Sequence, residues 1–275
     1  MDRPANAGHV RIFSDLHLGH KLSRVADTRA LRPLLDGVGT AVFNGDTWQE
    51  LAREFRPLGE RQLTELRAIC AEAGAAPVFL PGNHDPGWPG DGWLAFGGRR
   101  VVVTHGDALL PAGSPWKREI LSNEARVAEL WREHPEAARD PAARIRLARA
   151  IANELRSVEP PGGRSFLRRV WDAVVPPRRA LHILEAWLVQ GREGGRFCDR
   201  FFPEARFLVI GHFHRAGCWT AGDRVVINTG SFMSPGRACV VDWFPGERRL
   251  VWADVDERDP AAWRRGRIHA VWRLA

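Results

Sequence analysis

Two spacings in this chain suit metal-ion chemistry. Asp15-x-His17 and His212-x-His214 each carry two donors at positions i and i+2. At a strand end those positions share a face, so both side chains project the same way. Between the two pairs stand Asp46 after Gly45, the run Asn83-His84-Asp85 after Gly82, and His105 ahead of Gly106-Asp107. The donors are carboxylate, imidazole and amide oxygen, with no thiolate. That set favours manganese, iron, zinc or magnesium over copper(I) or iron–sulfur clusters. Asp46, a lone carboxylate between two donor groups, is suited to bridge two cations. In two-metal sites such cations stand roughly 3.5–4 Å apart and clamp the attacking and leaving oxygens of an in-line displacement.

Each group follows a short apolar run that reads as a buried strand. These runs are Val10–Phe13, Thr40–Phe43, Pro77–Leu80, Val101–Thr104 and Phe207–Ile210. In open α/β sheets ligands gather beyond the carboxyl ends of the strands. Gly45, Gly82 and Gly211 would let the backbone turn sharply there. Leu63, Leu66, Ile69, Cys70 and Ala73 follow helical spacing, and Gly74 would end that helix. After residue 220, Val225–Ile227, Ala238–Val241 and Leu250–Trp252 read as strands, with turn signals at Pro235-Gly236 and Pro245-Gly246. They predict a second, mostly antiparallel sheet. The expected fold is an α/β sandwich of two facing sheets.

Between His105 and the run at Phe207 the sequence shows only helical signals. Ser114-Pro115 and Asp140-Pro141 read as N-caps followed by proline. Ile145, Ala148, Ile151, Ala152 and Leu155 form an apolar stripe. Phe166 to Val174 and Leu181 to Gly191 suggest further helices, separated by Pro160-Pro161-Gly162-Gly163 and Pro176-Pro177. This Arg-rich stretch also carries Trp116, Trp131, Trp171 and Trp187. The expected organisation is a domain over residues 9–255, a helical cap inserted at 108–204, and a C-terminal extension at 256–275.

The ordered set Asp15-x-His17, Gly45-Asp46, Gly82-Asn83-His84-Asp85, His105 and Gly211-His212-x-His214 resembles the signature of the calcineurin-like metallophosphoesterases. Asn228-Thr229-Gly230-Ser231 resembles the turn that follows the last motif in that family. The resemblance spans residues 9 to 231. It implies that Asp15, His17 and His214 hold one metal, that Asn83, His105 and His212 hold the other, and that Asp46 bridges them. It implies two divalent ions, manganese first, with iron, zinc or magnesium as alternatives. A metal-activated hydroxide would attack phosphorus, with His84 beside the phosphate and Asp85 orienting it. Arg215 could meet phosphate. Where many members have an acidic residue three positions after the bridging Asp, this chain has Gln49.

The implied activity is hydrolysis of phosphoester or pyrophosphate bonds. The helical insert after His105-Gly106-Asp107 is similar to that of UDP-2,3-diacylglucosamine pyrophosphohydrolases, although those enzymes generally show Gly-Asn-Arg-Asp where this chain has Gly82-Asn83-His84-Asp85. A lipid-linked substrate and peripheral membrane contact are therefore one alternative, beside a phosphorylated small molecule. A nuclease is another, since the formal charge is +7. No nucleic-acid-binding module is recognisable, so it ranks lower. Of the 40 basic residues only Lys21 and Lys117 are lysine, and tyrosine is absent, so the charge also fits a biased codon supply. A scaffold that lost catalysis would normally lack a ligand, and none is missing. Cys70, Cys198, Cys218 and Cys239 show no zinc-ribbon spacing and suit free thiols. The start of the chain lacks an apolar leader, and no run has the roughly 20 apolar residues of a membrane span. A cytoplasmic protein, at most attached to a membrane surface, is expected.

Overall fold

The computed structural model describes residues 8–114, 117–155 and 177–274. Its centre is the expected two-sheet α/β sandwich. One sheet has six strands in the order β11-β10-β9-β1-β2-β3, and the other has five in the order β4-β5-β6-β8-β7. The first comprises β1 (Val10–Phe13), β2 (Thr40–Asn44), β3 (Ala76–Leu80), β9 (Cys239–Phe244), β10 (Arg249–Asp256) and β11 (Arg264–Arg273). The second comprises β4 (Trp93–Phe96), β5 (Val101–Thr104), β6 (Phe207–Ile210), β7 (Gly217–Ala221) and β8 (Arg224–Asn228). Within each sheet three strands run parallel: β1, β2 and β3 in one, β5, β6 and β8 in the other.

Alternation along the strands explains the layering. Val10 and Ile12, Val101 and Val103, Phe207 and Val209, and Val225 and Ile227 all join one core between the sheets. Their neighbours point outward. Phe13, Ala41 and Phe43 pack under α1 (Arg56–Glu72) with Leu66, Ile69 and Cys70. Val102, Leu208, Ile210 and Val226 pack under α5 (Pro177–Phe201) with Ala186, Phe197 and Cys198. Both faces of the central strands β1, β2, β5 and β6 are covered, so these strands read as continuous apolar runs. Burying each Val, Leu, Ile or Phe side chain there contributes about 1.5–3 kcal/mol. Gly74 has φ +69° just past α1, where it ends the helix as expected.

Three expectations are corrected. The strands after residue 220 do not make a separate antiparallel sheet. β8 pairs parallel with β6, whereas β9 and β10 extend the sheet of β1 antiparallel. The motif-bearing strands are likewise divided, three in one sheet and two in the other. The stretch at 256–275 is not an appendage, because β11 pairs along β10 and its Ala270 and Trp272 pack against the inter-sheet core.

The insert places α2 (Arg118–Leu121), α3 (Glu124–Glu133), α4 (Pro141–Glu154) and α5 between β5 and β6. Asp140 caps α4, accepting from the N–H groups of Ala142 and Ala143. The helices α2 to α4 share a small core of Ile120, Val127, Leu130, Leu147 and Ile151. The helical stripe of α5 behaves differently from expectation: Ala186 is buried, while Leu181, Leu184 and Leu188 are exposed. The readings at Pro115, Trp116 and Pro160 to Pro176, Trp171 included, lie outside the described residues. No helix among the described residues is long and apolar enough to cross a membrane.

Candidate metal centre

The carboxyl ends of β1, β2, β5 and β6 meet at one edge of the sandwich. There the structure brings Asp15, His17, Asp46 and His214 into one group, and Asp46, His105 and His212 into another. Asp46 belongs to both. Its Oδ2 lies 3.7 Å from His17 Nε2 and 3.4 Å from His105 Nε2. His214 Nε2 lies 3.2 Å from Asp15 Oδ1 and 3.1 Å from His17 Nε2. Asn83 Oδ1 is 3.4 Å from His105 Nε2. All seven residues named from the sequence therefore converge, and all but His214 are buried.

Backbone conformation shows what this convergence costs. Asp15, His17, Asp46, His212 and His214 all have φ between +49° and +66°. Such left-handed backbone is uncommon for residues with a Cβ, and strain of this kind clusters at functional sites. Among the described residues only Arg99 and Arg248 share it without being glycine. The motif glycines serve close approach more than turning. Of Gly45, Gly82 and Gly211 only Gly45 has positive φ. A Cβ on Gly82 would collide with the Asp46 carboxylate, and one on Gly211 with that of Asp15.

The surroundings hold the donors in place. Asp15 accepts from the His212 N–H at 3.1 and 3.0 Å. Asp46 Oδ1 accepts from the His84 N–H at 2.8 Å. His105 Nδ1 sits 2.9 Å from the Asn44 carbonyl, so that nitrogen is the donor and Nε2 keeps its lone pair. His212 Nε2 sits 3.2 Å from the Gly113 carbonyl, which leaves the lone pair on Nδ1. The Asn228 turn closes the edge. Asn228 donates to the Gly211 carbonyl and to Gln190 of α5, each at 2.8 Å. Trp187 of α5 donates from Nε1 to the Phe213 carbonyl at 2.8 Å. Two insert residues thus brace the His212–His214 turn.

Asp85 does not orient His84. Its Oδ1 accepts from the N–H groups of Asp46 and Gly82, and its Oδ2 from Thr47 and the Trp88 indole, at 2.8 to 2.9 Å. It ties the β2 and β3 loops together, and its pKa is raised to about 7 by burial and by the neighbouring Asp46. His84 instead turns Nδ1 to Gln49 Oε1 at 3.1 Å, while Gln49 Nε2 lies 2.8 Å from His17 Nδ1. Gln49 thus links a metal-ligand candidate to His84. Arg215 is exposed and lies over the Trp187 ring, 5.5 Å from its centroid. Its side chain is not among those lining the cavity described below. His20 accepts from the Leu22 N–H and packs edge-on to Phe55. Asp107 is buried with neither carboxylate oxygen hydrogen-bonded among the described residues.

The electrostatics fit cations. Burial drives His17 and His212 well below the ordinary histidine range, so both rings are neutral. Burial alone would raise Asp46, but His105 and His84 carry it well below the carboxylate range. His105 in turn rises against burial because Asp46 faces it. The cluster therefore draws a proton onto His105, one that a bound ion would have to displace to reach the Nε2 lone pair. Ionised carboxylate and neutral imidazole are the ligand states a divalent ion requires. Donor separations of 3.1 to 3.9 Å also suit an ion with bonds of about 2.1 Å. The donors fit a dimetal site.

A cavity of about 240 Å³ opens over the cluster. Asp46, Asn83, His84, His212 and His214 form its floor, and Ser114, Lys117, Ile183, Trp187 and Phe213 its wall. A larger depression of about 480 Å³ lies on the insert, between Arg144, Glu193, Arg196 and Asp199. It holds none of the candidate residues, and its mixed charges offer no concerted chemistry.

No family model matches the chain, and no curated protein matches it. Solved structures do. Vacuolar protein sorting 29 from Cryptosporidium parvum is 14% identical, over 97% of this chain and 98% of that one, with a TM-score of 0.44. A dimetal phosphatase from Danio rerio is 14% identical over 90% and 95%, with a TM-score of 0.43. A cold-active protein-tyrosine phosphatase from Shewanella is 12% identical over 95% and 81%, with a TM-score of 0.39.

Proposed function

We propose that the chain is a metal-dependent hydrolase of phosphoester or pyrophosphate bonds, of the calcineurin-like metallophosphoesterase class. The observation that carries this reading is Asp46, one carboxylate shared by two donor groups. When bound, two divalent ions, manganese first, would supply Lewis-acid charge and make water acidic enough to act as nucleophile near neutral pH. Asp15, His17 and His214 would hold one ion, Asn83, His105 and His212 the other, and Asp46 both.

The protein's own groups then divide the work. His84 borders the cavity, and its ring is neutral, pushed down to about 3 by burial, with Lys117 and His214 adding to that and Asp46 opposing. It acts as a hydrogen-bond donor to the phosphoryl group rather than as an acid that is charged beforehand. Ligation through His17 Nε2 leaves the His17 proton on Nδ1. The Gln49 amide, whose oxygen faces His84 in this structure, would then flip to accept from His17 Nδ1 and donate to His84 Nδ1. That fixes the His84 proton on Nε2. Asp85 holds the two loops that carry Asp46 and His84. Ile183, Trp187 and Phe213 exclude water from the leaving-group side.

A lipid-linked anhydride is the second reading. The helix that supplies Ile183 and Trp187 also exposes Leu181, Leu184 and Leu188, a surface suited to an acyl tail or to contact with a membrane. The test is to strip the protein of metal, reload it with manganese, and assay bis-p-nitrophenyl phosphate and UDP-diacylglucosamine. Manganese-dependent turnover that Asp46→Asn and His84→Ala both abolish is the expected result. A protein that retains no divalent metal and hydrolyses neither compound would sink the proposal and favour a scaffold.

A further inference from the structure

Lys117 is the sole cationic residue lining the cavity among the described residues, and it comes from the insert. It stands opposite the metal-ligand candidates, on the wall with Ser114, Trp187 and Phe213. Its main chain is fixed: its N–H donates to the Ser114 carbonyl at 2.9 Å, and its own carbonyl accepts from Ile120 and Leu121. Its wall partner Trp187 is fixed too, by the indole bond to the Phe213 carbonyl. Among the described residues no carboxylate forms an ion pair with its ammonium. Burial lowers its pKa, Asp46, Glu119 and Asp107 oppose that, and Lys117 in turn repels a proton from His84.

Its residue type sharpens the point. Basic positions in this chain are arginine except for Lys21 and Lys117. A guanidinium is a wide planar fork, whereas an ammonium is a compact point charge that donates in three directions. A cavity of about 240 Å³ that must also admit a phosphoryl group has room for the smaller cation.

We infer that Lys117 is a substrate-contacting residue, which binds an anionic oxygen of a phosphoryl group seated between the insert and the metal cluster. This deepens the hydrolase reading and rests on it for turnover, although anion binding can be tested separately. The substrate class that follows is a phosphomonoester or a pyrophosphate, which brings an extra charged oxygen, with apolar surface on its leaving group to meet Ile183 and Trp187. A simple diester, with one charge, uses Lys117 less.

The probe is inorganic phosphate, titrated calorimetrically into the manganese-loaded protein and its Lys117→Met variant, with metal content measured in both. Equal metal content and phosphate affinity weaker by about tenfold to a hundredfold in the variant are expected, the range for a lost charged hydrogen bond. Turnover gives a second readout. In Lys117→Met, kcat/KM for p-nitrophenyl phosphate falls at least several-fold further than for bis-p-nitrophenyl phosphate. Lys117→Gln replaces the Met variant if that one fails to fold. Unchanged phosphate affinity, no phosphate binding by the loaded wild type, lost metal in the variant, or equal falls for both esters would each overturn the inference. Lys117-dependent phosphate binding without turnover of either ester would uphold it and defeat the hydrolase reading instead.

Discussion

The two walls of the cavity are built on opposite plans. The floor is five loops, each leaving a strand, with strained backbone at Asp15, His17, Asp46, His212 and His214. Several donors there are held by a neighbour: Asp15 by His212, Asp46 by His84, His105 by Asn44. The far wall comes mainly from the insert, with Ile183 and Trp187 on α5, and it meets the floor loops through a few polar bonds from Trp187 and Gln190. Rigid elements over-determine the part that must position charge to a fraction of an ångström. The part that meets the leaving group rests on packing and can change without disturbing the rest. Chemistry would reside in the sandwich, and substrate choice in the insert.

If that division holds, the largest effect belongs to the floor. Asp46→Asn removes one charge from both donor groups at once, while its main-chain bond from His84 can persist. Turnover should fall by about a thousandfold or more, with the thermal midpoint near that of wild type and metal content reduced. Full activity in this variant would break the comparison at its strongest point.

The frame behind the floor gives the next effect. Arg11 is buried and pairs with Asp242 at 2.6 and 2.9 Å, across the β1–β9 register, and also donates to the Leu34 carbonyl. Removing one partner of a buried pair costs about 3 kcal/mol or more, so Arg11→Met should lower unfolding free energy by that amount in a denaturant titration. Burial alone would raise the Asp242 pKa, but hydrogen bonds from His9 and Arg11 carry it well below the carboxylate range. A carboxyl with a depressed folded pKa contributes stability that is complete above its unfolded value, near 4, and is lost as pH falls toward the folded value. Wild-type stability should therefore decline as pH falls below about 4, and more shallowly in Arg11→Met.

Much of the floor was legible because its chemistry is written as local motifs, each after a buried run. The partition of those strands between two sheets was not, since Val225–Ile227 and Val240–Val241 read alike until pairing separates them. β11 was hidden by its composition: its exposed positions carry Arg264, Arg265, Arg267 and Arg273, which mask the inward Ala270 and Trp272. β4 and β7 are four- and five-residue edge strands beside glycines, and their runs are too short to show a period. Arg11 inside an apolar run made sense only with Asp242 opposite. Asp85 stood next to His84 in sequence, and adjacency suggested a contact that the loop geometry gives to Gln49. Lys117 belongs to no motif. Its one signal is being one of two lysines in a chain whose other basic positions are arginine.

Gln49 tests whether support within the floor matters as much as its ligands. Groups that orient metal-binding histidines are typically worth 10- to 100-fold in metal affinity or activity. Gln49→Ala should fall in that range, with kcat reduced more than KM is raised. Gln49→Glu keeps an acceptor for His17 and should recover part of the loss. Equal effects of both variants would mean that the amide only fills space.

The smallest predicted change lies on the insert, and it separates the two walls most directly. Trp187 presents its ring to the cavity and anchors the Phe213 carbonyl through its indole N–H. Trp187→Phe keeps most of the apolar surface and loses the anchor. Trp187→Ala loses both. Apolar contacts in a substrate pocket are worth about 1–3 kcal/mol of discrimination, 10- to 200-fold. With leaving groups that bear apolar surface, Trp187→Ala should raise KM by about tenfold and leave kcat within severalfold. Trp187→Phe should do much less. With a small leaving group both variants should match wild type, because only the floor is then engaged. A fall in kcat for every ester in both variants would show that Trp187 acts by holding the His212–His214 turn. The insert would then be part of the machinery that positions charge, and the division between the two walls would not stand.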